Sequence, residues 1–215
     1  TLSGWFKPTC ELLTPLYKIL KEEVLNTDYI QVDETTLPVI NKESHYAKKE
    51  YLWMVRSVMK KLVFFHYDDG SRSGDTAYSL LKSFDGYLQS DGYGAYNVFK
   101  ENDQVCLVAC MAHIRRRYEI ALDENKSLAE NALRPIALSR KNFMFCGNHE
   151  AAQNTAVICS LLASCKESGI NPREWLNDVI AKMPYYQKPG NEENLRALLP
   201  NYWKQQESNK TLIIV

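Results

Sequence analysis

Tyr29-Ile-Gln-Val-Asp33 is the stretch on which the fold turns. Its aromatic and β-branched residues read as a short strand with a carboxylate at its end, and Thr35 to Ile40 continues extended around Pro38. Glu50 to Met59 and Lys61 to Tyr67 are rich in Val, Phe, Trp and Tyr and lie close enough in sequence to pair as antiparallel neighbours, so three strands follow in succession. Upstream, Thr14-Pro15 offers a cap and a first-turn proline ahead of Leu16, Ile19, Leu20 and Val24, which recur at helical spacing. Downstream, Ser73-Gly-Asp75 offers helix N-terminal chemistry before Ala77, Leu80, Leu81 and Phe84. A fourth strand, Tyr87 to Ser90, ends in Asp91-Gly92. A short helix from Tyr93 to Phe99 leads to a fifth strand, Val105 to Met111, and to a helix starting near Ala112. Beyond it the pattern is helical over Leu128 to Leu138, Ala151 to Lys166 and Pro172 to Ala181.

This order, β-β-β-α-β-α-β-α closed by further helices, resembles the ribonuclease H-like fold. The expectation is an α/β, mixed five-stranded sheet flanked by helices, with a helical C-terminal extension. It divides the chain into a lead-in helix over residues 1–28, a catalytic core over 29–146 and a helical region over 147–215. In that fold the first and fourth strands are parallel neighbours. Asp33 and Asp91, distant in sequence, would then meet at one end of the sheet, where open α/β sheets place their sites. A third carboxylate on a later helix would complete a site for hard cations such as Mg²⁺, which prefer oxygen ligands. A single Asp at a strand end is otherwise an ordinary turn or cap residue.

Composition narrows the classes further. Lys plus Arg and Asp plus Glu both number 26 in 215 residues, so a chain that coats nucleic acid wholesale is excluded while a local basic patch is not. Apolar residues at 45% and charged residues at 24% are ordinary globular usage. The longest uncharged stretches, such as Thr155 to Cys165, fall short of the ~18 apolar residues of a spanning helix, so no membrane partner is expected. Six scattered cysteines fit reduced thiols, and no secretory signal opens the chain, so a cytoplasmic protein is expected. The start at Thr1 reads as that of an excised fragment.

Local motifs carry more than the fold does. Tyr29 to Thr35, Leu88-Gln-Ser-Asp-Gly-Tyr-Gly-Ala-Tyr96, Cys110-Met-Ala-His-Ile-Arg-Arg-Arg-Tyr118 and Ala129 to Asn142 together resemble the transposases of the insertion sequence 66 family. Phe145-Cys-Gly-Asn-His-Glu150 and Asn171-Pro-Arg-Glu-Trp-Leu176 look like its C-terminal continuation. The resemblance implies a DDE-type catalytic core in which Asp33, Asp91 and Glu130 bind two Mg²⁺ or Mn²⁺ ions. It also implies action on double-stranded DNA, at transposon ends and target, by a homo-oligomer assembled on that DNA. Arg115, Arg116, Arg117, Arg134, Arg140 and Lys141 would hold phosphates, and His113 and Tyr93 would stand beside the metal site.

Members of that family usually carry a long segment between the His-Arg-rich helix and the catalytic Glu; here only Glu119 to Ala129 intervenes. Glu130 can belong to either side of that junction, with Glu119 and Glu124 as rival third carboxylates. The shortening also leaves open a remnant that binds DNA or sister subunits without cutting. Bland readings stand beside the functional ones: Glu130 and Arg134 as a surface i,i+4 pair, the Arg run as a solvated helix face, and Tyr93 and Tyr96 as core aromatics rather than base-stacking platforms. Cys106, Cys110, His113, Cys146 and His149 are of zinc-ligating type, but C-x3-C-x2-H is not a close-paired knuckle, and no zinc is expected.

Overall fold

In the computed structural model, which describes residues 2–40, 46–110, 113, 148–186, 188 and 192–203, the sheet is built outward from β1 (Tyr29–Ile40). On one side β1 pairs antiparallel with β2 (Ala47–Ser57), which pairs antiparallel with β3 (Leu62–Tyr67). On the other side β4 (Gly86–Ser90) runs parallel to β1, and β5 (Val105–Ala109) parallel to β4, giving the order β3-β2-β1-β4-β5. With helices packed against it and a helical C-terminal extension, this is the expected ribonuclease H-like α/β fold.

Asp33 does not close β1. The strand runs on to Ile40 because its ladder with β2 continues, whereas its ladder with β4 stops at Gln31 and Gln89. Among the described residues the later half of β1 thus has one hydrogen-bonded neighbour, a setting in which Pro38, which has no N–H to give, is tolerated. The β1–β4 approach is close at its start. Gly86 has φ +138°, a Cβ there would lie 2.3 Å from the Asp28 carbonyl oxygen, and that oxygen accepts the Tyr87 N–H at 2.8 Å.

Helix α1 (Leu2–Leu25) begins well before Thr14. Thr14 is no cap: its hydroxyl donates back to the Cys10 carbonyl at 2.8 Å, and Pro8 and Pro15 both lie inside the helix. The apolar stripe explains why the prolines do not end it, since Cys10, Leu13, Leu16, Leu20 and Val24 are all buried. Helix α2 (Gly74–Leu81) starts as read, with the Ser73 hydroxyl accepting the Thr76 N–H, and a 3₁₀ segment over Gly94–Phe99 fills the place of the next short helix. Helices expected near Ala112 and over Leu128 to Leu138 lie outside the described residues, apart from His113, which is helical. Helices α3 (His149–Glu167) and α4 (Pro172–Tyr186) follow, then a 3₁₀ segment, Glu192–Leu198. The larger apolar core joins α1, α2, α4 and one sheet face through Trp53, Phe64, Leu88 and Trp175; a smaller one joins the other face to Ala152 and Ala156 of α3.

β3 is an edge strand, and α3 lies along it with serines. Ser160 accepts the Phe65 N–H at 2.6 Å. Ser164 accepts the Val63 N–H at 3.1 Å and donates to the Val63 carbonyl at 2.7 Å, and Ser168 donates to the Lys61 carbonyl at 3.1 Å. The match is geometric: four helical residues rise about 6 Å and two strand residues about 6.8 Å, so every fourth helix position meets every second strand position. Edge groups that would otherwise recruit another strand are satisfied internally. Ser160→Ala and Ser164→Ala each leave a buried N–H without its acceptor and are expected to cost about 1–3 kcal/mol in urea unfolding. A double variant within 0.5 kcal/mol of wild type would show that the edge does not depend on them.

Candidate active site where β1 and β4 part

The two strands that meet here carry the same pattern. Tyr29-Ile-Gln-Val-Asp33 and Tyr87-Leu-Gln-Ser-Asp91 are both Tyr-x-Gln-x-Asp, and the parallel register sets Tyr29 against Tyr87 and Gln31 against Gln89. Two residues further, just past the end of the ladder, come Asp33 and Asp91. The expectation that the two Asp residues sit on adjacent parallel strands is met, and the repeated pattern, which the sequence reading did not use, is the signal that aligns them. Below them the glutamines are tied together. Gln89 Oε1 accepts from Tyr29 Oη at 2.5 Å and from Gln31 Nε2 at 2.7 Å, Arg56 Nη1 donates to Gln31 Oε1 at 3.1 Å, and Arg56 pairs with Glu167 of α3 at 2.7 Å.

Asp33 is largely buried, its side chain 17% exposed. Its one hydrogen bond among the described residues is from the Glu34 N–H to Oδ1 at 2.9 Å. Burial pushes its pKa up, and the neighbouring Asp91 carboxylate adds to the rise, against the opposing pull of the Glu34 N–H, His113 and Arg72. His113 Nε2 stands 4.0 Å from Asp33 Oδ2, outside hydrogen-bond range, and its Nδ1 is buried with no partner among the described residues. Asp91 Oδ1 accepts the Tyr93 N–H at 2.8 Å in an Asx turn, followed by Gly92 at φ +81°. A largely buried carboxylate whose Oδ2 has no hydrogen bond among the described residues, with a second carboxylate whose charge disfavours its ionised form, offers oxygen donors of the kind a hard divalent cation takes.

Strand alternation turns Glu34, the residue after Asp33, to the opposite face. Its side chain is 0% exposed. Oε1 accepts from the Tyr96 hydroxyl, and Oε2 accepts from Arg72 Nη2 at 3.0 Å and Nε at 3.3 Å. Burial outweighs these partners and holds the Glu34 pKa above its ordinary value. Tyr96 is itself buried and acts as a core donor, which rules it out as a base-stacking platform. Tyr93 lies with its ring 3.7 Å from the Arg72 guanidinium carbon. Neither Glu34 nor Arg72 was singled out from the sequence; nothing local marks a pair 38 residues apart.

Glu130, the rival Glu119 and Glu124, and the expected phosphate-binding Arg115, Arg116, Arg117, Arg134, Arg140 and Lys141 lie outside the described residues. Among the described residues no group of three His, Cys, Asp or Glu side chains is gathered to hold a metal. Of the zinc-type residues, Cys106 is exposed on β5, whereas His149 Nδ1 sits 2.6 Å from Tyr67 Oη, beside β3 at the other edge of the sheet.

Residues 1–129 match the profile described as Transposase IS66 family. The chain belongs to the IS66 family of transposases. Residues 160–201 match a second profile, the IS66 C-terminal element, so Glu130 falls just outside the first match and well before the second. Among curated proteins, this IS66-family chain is similar to two uncharacterized proteins of Sinorhizobium fredii (strain NBRC 101917 / NGR234). One, y4jD, is 35% identical over 305 residues, which cover 95% of this chain and 59% of the relative; the other, y4qI, is 22% identical over 273 residues, 80% of this chain and 50% of the relative. The chain thus spans between half and three-fifths of their length. Because 95% of 215 residues is about 204, about 100 of the 305 aligned positions have no counterpart in this chain. No solved structure matches the chain. Among the described residues no helix is long and apolar enough to cross a membrane.

Proposed function

We propose that this chain is the catalytic core of a DNA transposase, with Asp33 and Asp91 as two of three carboxylates that hold Mg²⁺ or Mn²⁺ ions. The observation that carries the reading is the in-register arrival of Asp33 and Asp91 just past the end of the β1–β4 ladder, in a chain whose family is that of DDE transposases. When bound, a pair of such ions would supply charge to the attacking and leaving oxygens of a phosphodiester. The chain's own part is to hold two hard oxygen donors in a partly dry setting, with His113 at the side of Asp33 and Tyr93 fixing Asp91 through its N–H. Glu130 is the third carboxylate in this reading, and the Arg run after His113 with Arg134, Arg140 and Lys141 meets the DNA phosphates of transposon ends and target. The reaction is hydrolysis that frees a 3′-hydroxyl, followed by attack of that hydroxyl on a second strand, by copies of the chain assembled on DNA.

The short segment before Glu130, together with the roughly 100 aligned positions of one relative that have no counterpart here, favours a second reading: a remnant that binds DNA but does not cut. Nicking of a supercoiled plasmid with Mn²⁺ separates the two. The catalytic reading expects weak nicking that is lost in Asp33→Asn, Asp91→Asn and Glu130→Gln and kept in Glu119→Gln and Glu124→Gln. Loss in Glu124→Gln but not Glu130→Gln moves the third ligand. Salt-sensitive duplex binding with no nicking in wild type selects the remnant.

A further inference from the structure

The β1–β4 ladder ends at Gln31 and Gln89, so the sheet itself does not fix the separation of Asp33 from Asp91. A second connection does. On the β1 side, Glu34 binds Arg72 through two N–H groups on one oxygen, at 3.0 and 3.3 Å. The Arg72 guanidinium carbon lies 3.7 Å from the Tyr93 ring centre and 5.2 Å from that of Tyr51, and the Arg72 carbonyl accepts the Tyr93 hydroxyl at 3.3 Å. Tyr93 in turn donates its N–H to Asp91 Oδ1 at 2.8 Å. We propose that Arg72 is a positioning residue that, by clamping Tyr93 against the buried Glu34, sets the Asp91 carboxylate relative to Asp33. The proposal rests on the reading of Asp91 as a metal ligand only for its functional consequence.

The chemistry requires arginine at this point. Two donors of one planar fork meet a single carboxylate oxygen while the same group covers an aromatic ring, and the point charge of lysine cannot do both in that geometry. Arg72 is not a spare cation for DNA, since its charge is matched by Glu34, whose carboxylate is sealed from solvent. Nor does it hold up its own loop: Trp53 Nε1 donates to the Ser71 carbonyl at 3.0 Å and Thr76 Oγ1 to Asp68 Oδ2 at 2.9 Å without it. A variant at Arg72 should therefore fold and lose alignment.

Amide hydrogen exchange and Mn²⁺ titration on the 215-residue chain test this, using Arg72→Lys, Arg72→Ala and Tyr93→Leu. In all three, exchange around Gly92 and Tyr93 is expected to rise about tenfold or more while the amides of Leu52 to Val55 keep their protection. Mn²⁺ affinity is expected to fall roughly 10- to 100-fold, as for other groups that orient metal ligands. Lysine failing to rescue is the mark of the planar clamp. Unchanged exchange at Tyr93 in both Arg72 variants, or full recovery of exchange and affinity in Arg72→Lys, overturns the proposal. If wild type binds no Mn²⁺, the metal reading of Asp91 fails, and the exchange data still decide the clamp. Should Arg72→Ala not fold, Arg72→Lys and Tyr93→Leu carry the test.

Discussion

Glu23→Ala is expected to cost about 3 kcal/mol of stability at neutral pH, because Glu23 is a buried carboxylate on which three side chains from two distant parts of the chain converge. It sits in the last turns of α1. Lys60, from the turn between β2 and β3, donates to Oε1 at 2.7 Å, Tyr202 donates to Oε1 at 2.9 Å, and Arg196 donates to Oε2 at 2.7 Å. Two of these partners belong to or directly follow the segment that matches the IS66 C-terminal element, so the contact fastens that element to the core. The cost stays at the low end for a broken buried pair because Arg196 is half-exposed and can turn to water. Burial pushes the Glu23 pKa up, but the hydrogen bonds from Lys60 and Tyr202 and the charges of Lys60 and Arg196 outweigh it and hold the value below the ordinary one. A depressed carboxylate contributes stability that is present above its unfolded pKa, about 4.3, and is lost as pH falls through the folded value. The gap between wild type and Glu23→Ala in urea unfolding should therefore narrow on acidification from pH 7 to pH 3. An equal gap at both pH values would place its origin in packing.

What the sequence disclosed and what it hid divide along physical lines. Strand order and the Ser73 cap were legible because they rest on local composition: the run Leu62 to Tyr67 and the Ser-Gly-Asp start of α2 each announce themselves within a few residues. The meeting of Asp33 and Asp91 was legible from topology, although the reason they align, one Tyr-x-Gln-x-Asp pattern on two parallel strands, is written in the sequence and needs only the pairing to give it meaning. The start of α1 was misread because Pro15 at a local level looks like a beginning, and the burial of Cys10 and Leu13, a tertiary fact, overrides it. Glu34 and Arg72 were invisible for a different reason. Each is an ordinary charged residue until β1 and the loop before α2 are brought together, and the pair is then sealed by Tyr93 and Tyr96, which the sequence offered only as generic aromatics.

Asp33→Asn is expected to raise the melting temperature of the metal-free chain and to abolish its response to Mn²⁺. In the metal-free chain the Asp33 carboxylate is desolvated, has one hydrogen bond among the described residues, and faces the like charge of Asp91, so its ionised form is a liability to the fold. Asparagine has nearly the same shape, can still accept the Glu34 N–H, and carries no charge. A relief of about 1 kcal/mol would appear as roughly 2–4 °C in a chain of this size. Adding Mn²⁺ should reverse the ranking. Wild type gains about 2.7 kcal/mol when the ion is at 100 times its dissociation constant, whereas Asp33→Asn, lacking a hard anionic ligand, gains little. Asp91→Asn should lose the same metal response while keeping its turn, because the Asn oxygen can still accept the Tyr93 N–H. This inversion separates a site poised for a cation from a structural carboxylate, since a structural Asp33 would lower the melting temperature on replacement and leave both proteins indifferent to Mn²⁺. Destabilised Asp33→Asn together with an unshifted wild type would remove Asp33 from the metal site and, with it, the basis for reading the junction of β1 and β4 as the place where DNA is cut.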